Sequence, residues 1–153
     1  MKNIFTKEML SGLDEEWKQW FRKTHGPAME ANPDLPKLRD KLVAHGGDEA
    51  LVGNGNVTPE EAQRLLTRGQ FWGGEAKSQP MESRRCHGNS RCLMEQGVGE
   101  VANGLALSAD GLWRPHSWVV TPEGLIETTT PRTAYFGALL TKGEVQKEYT
   151  ASR

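Results

Sequence analysis

The sequence predicts an α+β fold, with helices in the first half of the chain followed by one further helix and a small antiparallel β-sheet. Three observations carry that reading. Apolar residues recur at helical spacing over residues 7–24, at Met9, Leu10, Leu13, Trp17, Trp20 and Phe21. Thr58-Pro59-Glu60-Glu61 supplies a capping Thr, a Pro at the first helical position and a Glu at the third, the signature of a helix start. From Glu100 onward the period becomes that of strands, with Asp110-Gly111 between LALSA and LWRPHSWVV as a hairpin signal.

In chain order, the first helix is expected to close at His25-Gly26-Pro27, because Gly suits the position after a helix and Pro lacks the N–H that would continue it. Residues 34–45, DLPKLRDKLVAH, form a second helix closed by Gly46-Gly47. The capped helix then runs to about Thr67. Residues 68–82, rich in Gly and polar side chains, read as a loop leading to Cys86, where another helix begins. After the turn Thr121-Pro122-Glu123-Gly124, LIETTT extends an antiparallel meander of three or four strands. The expected organisation is a helical segment over 1–70 and an α+β core over 71–153, packed as one compact unit.

A chain of 153 residues is long enough for one domain with a real core. Its 19 basic and 20 acidic residues nearly cancel, and the one dense basic cluster is Arg84, Arg85 and Arg91, too narrow a face for nucleic acid. No apolar run reaches the length of a membrane span, and the opening MKNIFTKEML lacks the apolar centre of a secretory signal. A cytoplasmic protein without a membrane partner is therefore expected. Cys86 and Cys92 are too few for a disulfide framework, and with His87 and His116 they lack the paired spacing of structural zinc ligands. No metal or other cofactor is expected, and the oligomeric state is left open.

The strand register bears on function. Pairing Ala109 with Leu112 sets Leu105 opposite His116, Leu107 opposite Arg114 and Asn103 opposite Trp118. Pairing Thr121 with Gly124 sets Trp118 opposite Glu127 and His116 opposite Thr129. One helix-covered face then carries Asn103, Leu105, Leu107, Arg114, His116, Trp118, Val120, Leu125, Glu127 and Thr129. On it His116 and Glu127 are diagonal neighbours, about 7–8 Å apart at the backbone, a gap the two side chains can close. A helix start lowers the pKa of a thiol, and a nearby imidazolium lowers it further. Cys86, His116 and Glu127 thus have the residue types of a nucleophile, a base and an orienting acid.

At these residues the chain resembles the transglutaminase-like branch of the papain-like cysteine enzymes, over about residues 83–130. The matching features are Cys86 at a helix start, the strand Val101–Leu107, His116-Ser117-Trp118, and Glu127 before a polar turn; the family more often has Asp at the last. The resemblance implies a papain-like core and acyl transfer through a thioester. The substrate would be a protein, a peptide or a small amide, handled as by a protease, amidase, glutamine deamidase or transglutaminase. It also points to Gln79, upstream of the cysteine, as an oxyanion donor. Besides the backbone N–H of Cys86, His87, Asn89 and Trp118 are expected to wall the site.

Other readings of the same residues stay open. Cys86 can be a small buried thiol, and His116 a half-buried strand histidine whose bonds are satisfied. Glu127 can pair with Arg114 instead of His116. His87 is disfavoured as the base because adjacent helical residues point about 100° apart. Trp17, Trp20 and Phe21 read as interhelical packing. The alternative from another class is a non-catalytic papain-like module that engages a protein partner.

Overall fold

The computed structural model describes residues 15–149. Its helices are α1 (Glu15–Glu30), α2 (Asp34–His45), α3 (Pro59–Arg68), α4 (Cys86–Glu95) and α5 (Lys142–Glu148). Its strands are β1 (Glu49–Ala50), β2 (Gln70–Gly73), β3 (Ala76–Ser78), β4 (Glu100–Leu107), β5 (Leu112–Thr121), β6 (Gly124–Glu127) and β7 (Ala134–Leu139). The fold is α+β, but its sheet differs from the small antiparallel meander expected. It is curled and seven-stranded, in the order β2-β7-β4-β5-β6-β3 with β1 beside β5. It is also mixed, because β1–β5 and β3–β6 run parallel.

Capping explains two helices directly. The Thr58 hydroxyl accepts from the Glu61 amide at 3.1 Å and the Glu61 carboxylate accepts from the Thr58 amide at 3.0 Å, opening α3. Thr141 and Glu144 repeat the device at α5, which had not been expected from the sequence. α1 does not close at His25-Gly26-Pro27. It continues to Glu30, with Pro27 inside it and its carbonyl accepting from Ala31 at 3.3 Å. Pro27 is exposed, so its ring faces solvent and only one backbone bond is forfeited. Phe21 is buried and Trp20 is 58% exposed. Met9, Leu10, Leu13 and the side chain of Trp17 lie outside the described residues.

The stretch expected as a loop, 68–82, contains β2 and β3. Both are short strands at the two ends of the sheet order, half-buried or exposed, so they carry no alternation to read. Pairing to β7 and β6 makes them strands, not their composition.

The register across β4 and β5 also departs from the expectation. Ser108 pairs with Leu112, its amide donating to the Leu112 carbonyl at 3.0 Å, while Gly111 N donates back to the Ser108 carbonyl. Gly111 takes φ 87°, the left-handed conformation that completes a three-residue hairpin loop in place of a two-residue one. A one-residue slip reverses every β4 side chain relative to β5. His116 therefore faces Gly104, and Asn103 faces Ser117. Asn103, Leu105 and Leu107 belong to the face opposite His116. The second turn keeps the expected pairing, Thr121 with Gly124 and Val119 with Ile126.

The two faces have different covers. On the outer face Leu105, Trp113 and Phe136 pack with Leu38, Leu42 and Leu65 of α2 and α3. Further along it Val119 and Ile126 meet Leu93 of α4, and Val101 meets Val145 of α5. Arg64 ties α3 to α5 through Glu148 at 2.8 Å. The inner face closes on itself. Ala102, Ala106, Trp118, Leu125 and Tyr135 form a cluster with Trp72 and no helical residue. His116 and Glu127 lie on this inner face, not on the helix-covered one. Trp113 and Trp118 lie on opposite faces.

Gly104 of β4 lies opposite Gly137 of β7. A Cβ there would sit 2.0 Å from the Phe136 carbonyl oxygen, so Gly104→Ala is expected to destabilise the protein by about 3 kcal/mol or more in chemical denaturation. Gly26 is the contrasting case. Nothing lies within 4 Å of a Cβ built there and the residue is helical, so Gly26→Ala is expected to stabilise by about 0.5–1 kcal/mol.

Candidate active site

β5 is flanked unevenly along its length. One side pairs continuously with β4. On the other side β1 pairs only Leu112 and Trp113, and β6 pairs only Val119 to Thr121. Residues 114–118 are left without a strand partner on that side, and the start of α4 occupies the gap. The segment leading to α4 is held there by the strand that follows: Gln79 N donates to the Glu127 carbonyl at 2.8 Å and Met81 N to that of Thr128 at 2.9 Å. Arg84 then turns through φ 61°, and the helix opens at Cys86. Arg85, at the N-cap, makes no side-chain cap bond, so the positive end of the helix lies uncapped beside the thiol.

Cys86 is half-buried and shares a cleft of about 530 Å³ with His116. Burial pushes the thiol pKa up, but hydrogen bonding to His116 and His87, with the attraction of both rings, outweighs it and lowers the pKa to about 5. His116 moves the other way. Burial disfavours its cation, yet bonds to Cys86 and Glu127 raise its pKa above the ordinary imidazole value. Both shifts favour the thiolate–imidazolium form of the pair over the neutral one.

Glu127 completes the arrangement. His116 Nε2 lies 2.9 Å from both of its carboxylate oxygens, which leaves Nδ1 for Cys86. Tyr135 donates its hydroxyl to Oε1 at 2.7 Å, and the Thr129 amide and hydroxyl donate to Oε2, each at 3.1 Å. Burial pushes the Glu127 pKa up, but His116, Tyr135 and Thr129 together hold it below the usual carboxylate value. Trp118 stacks near the His116 ring, centroids 6.1 Å apart and planes 26° apart. The acid–imidazole pair is thus enclosed by aromatic side chains while the sulfur faces the cleft. The competing pairing is absent, since Arg114 binds Asp110 at 2.7 and 3.0 Å.

The residues expected to wall the site fare differently. Gln79 is not in this cleft; it lines a separate cavity with Lys77, Thr121 and Glu123. Its neighbours in the chain are spent on pairing with β6, which carries it past the thiol. Asn89 is buried and donates to the Glu82 carbonyl at 2.8 Å, bracing the turn before α4. Trp118 stands behind His116 inside the curled sheet and does not line the cleft. His87, read as a wall, instead interacts with Cys86 while its Nδ1 lies 2.5 Å from Ser117 Oγ. Ser117 in turn meets Tyr149 OH at 2.6 Å and Asn103 Nδ2 at 3.1 Å. The helix start thus straddles the β5 edge: His87 reaches Ser117 on the outer face and Cys86 reaches His116 on the inner one.

Tyr135 and the Ser117–Tyr149 network went unnoticed in the sequence, and Thr129 was placed on the His116 face but not as a donor to Glu127. AYFGAL reads as a uniform apolar strand, and nothing local says which of its faces meets Glu127. Thr129 left a weak trace, because a donor two residues after an acid commonly folds back on it. Among the described residues no three His, Cys, Asp or Glu side chains converge as a metal site, and no helix is long and apolar enough to cross a membrane. No protein-family model, curated protein or solved structure matches the chain.

The ion pair has a direct readout. Alkylation of Cys86 by iodoacetamide, followed by peptide mapping, is expected to rise with pH about a midpoint near 5, against about 8.5 for an unperturbed thiol. In His116→Ala the midpoint moves up. An ordinary midpoint in the unaltered protein rules the pair out.

Glu127 offers a test through stability. Because its folded pKa is lowered, its contribution is present above the ordinary carboxylate pKa and is lost as pH falls through the lowered value. Glu127→Gln is expected to cost about 3 kcal/mol near pH 7, with the difference from the unaltered protein shrinking in acid. Urea denaturation at several pH values measures it.

Proposed function

We propose that the protein is a cysteine enzyme of papain-like, transglutaminase-like type that transfers acyl groups from an amide or ester, with Cys86 as nucleophile, His116 as acid and base, and Glu127 as the group that orients His116. The reading rests on one observation: a half-buried thiol meets an imidazole whose far nitrogen is held by a buried carboxylate, beside an open cleft.

The steps balance with these residues alone. The Cys86 thiolate attacks the acyl carbon, forming a C–S bond, and the carbonyl oxygen takes up negative charge near the uncapped amides of α4. Collapse breaks the bond to the leaving amine or alkoxide, which receives the proton from His116 Nδ1. A thioester and a neutral imidazole remain. Water or an incoming amine then attacks the thioester while losing a proton to His116, and the C–S bond breaks. The thiolate–imidazolium pair is restored. Glu127 keeps Nε2–H directed at itself throughout and stabilises the imidazolium.

p-Nitrophenyl esters provide the test. The expected course is a burst of nitrophenolate matching one acyl adduct on Cys86 by intact mass, followed by steady turnover. Cys86→Ala and His116→Ala are expected to lose about 10⁴-fold or more of that turnover, and Glu127→Gln about 10²–10⁴-fold. The pH profile of kcat/KM, which reports acylation of the free enzyme, should rise with thiolate formation near 5 and fall as pH passes the raised pKa of His116. Acylation without turnover, indifferent to Glu127→Gln, sinks the enzyme reading and leaves the binding module.

A further inference from the structure

We infer that the Cys86 cleft takes acyl substrates carrying a carboxylate next to the reacting carbonyl, held by Arg84 and Arg132. This rests on the acyl-transfer reading and adds the class of substrate. Both arginines line the cleft with Cys86 and His116, and no Asp or Glu is among its lining residues. The thiolate and imidazolium cancel, so two guanidinium groups outnumber the one carboxylate, Glu127, that stands behind His116 inside the sheet. The cleft is cationic toward an entering ligand.

Neither arginine is committed to a protein carboxylate. Among the described residues Arg84 makes no ion pair, although its neighbour Arg85 pairs with Glu82 and Arg91 with Glu95. Its backbone adopts φ 61°, a conformation unfavourable for a residue other than Gly or Asn. Arg132 donates from Nη1 to the Thr130 carbonyl, but its buried Nε–H has no acceptor. Thr128 also lines the cleft; it is fully buried and its hydroxyl has no hydrogen-bond partner. A buried donor without an acceptor is costly to keep. A carboxylate in the cleft accepts from the guanidinium groups of Arg84 and Arg132, whose planar forks match its two oxygens. Met81 and Pro115 on the same walls suit the aliphatic stem of a glutamyl or aspartyl side chain.

Three peptidyl acyloxymethyl ketones, identical except for Glu, Gln or Lys at the residue bearing the ketone, test this by their rates of covalent capture of Cys86. The expected order is Glu, then Gln, then Lys, with Glu about tenfold or more ahead of Gln at low salt and the margin narrowing as salt rises. Arg84→Asn, which keeps a residue tolerant of that backbone, and Arg132→Gln are each expected to reduce the margin, while Arg132→Lys retains part of it. Equal capture of the Glu and Gln probes, or a margin unchanged in both charge-removing variants, overturns the inference. Iodoacetamide, small and uncharged, separates the two levels. If it reports a low-pKa Cys86 while the Glu probe has no advantage, the carboxylate preference fails and the acyl-transfer reading stands. If it reports an ordinary thiol, the acyl-transfer reading fails first. The same reagent confirms that each arginine variant retains a folded site.

Discussion

The hydrogen-bonded contact between His116 and Glu127 is the constraint around which the remaining structure is arranged. Both side chains are almost fully buried, 2% and 1% exposed, and an ionised carboxylate is tolerated there only if its oxygens are supplied with donors. His116, Tyr135 and Thr129 supply them from β5, β7 and the turn after β6. Those elements must therefore be brought together by the curl of the sheet. Trp118, Tyr135 and Trp72 then fill the inner face around the pair, which keeps water from competing for the same bonds.

A pair enclosed in that way reaches nothing outside unless the sheet is opened, and the break in pairing along β5 opens it. β1 and β6 cover the two ends of the strand edge and leave 114–118 to α4. Helix α4 lies against the outer face through Leu93 and Val119, yet its first residue passes the edge to meet an inner-face histidine. Parallel pairing of β3 with β6, continued by Gln79 and Met81, delivers the chain to that edge. The same pairing that positions Glu127 thus also positions Cys86, and the electrostatic coupling of thiol, imidazole and carboxylate follows from one patch of sheet.

Gly104 and Gly137 show how narrow the tolerances are. Gly104 lies opposite His116 and lets β4 approach β7 at the Phe136 carbonyl. At Gly137 a Cβ would meet the Trp118 indole at 2.6 Å. Side chains at either position would push apart the strands that hold Tyr135 against Glu127.

Much of this was legible in the chain where the cause is local. Helix α2, the capped start of α3, the helix at Cys86 and the Thr121–Gly124 turn all follow from neighbouring residues, and that turn alone sets His116 diagonal to Glu127. The basic stretch around Cys86 likewise marked an unusual thiol. What the sequence pattern left undetermined was decided by backbone conformation and by contacts distant in sequence. One glycine φ at 111 chose a three-residue loop and sent β4 to the other face. Pairing partners 49 to 67 residues away made strands of 70–73 and 76–78, and the curl of the sheet turned the His116 face inward instead of toward the helices. Gln79 and Trp118 lie outside the cleft for the same reason, since distance along the chain does not tell which side of a sheet edge a residue will reach. Residue types and short-range geometry named the chemical groups; long-range pairing and burial decided which of them meet.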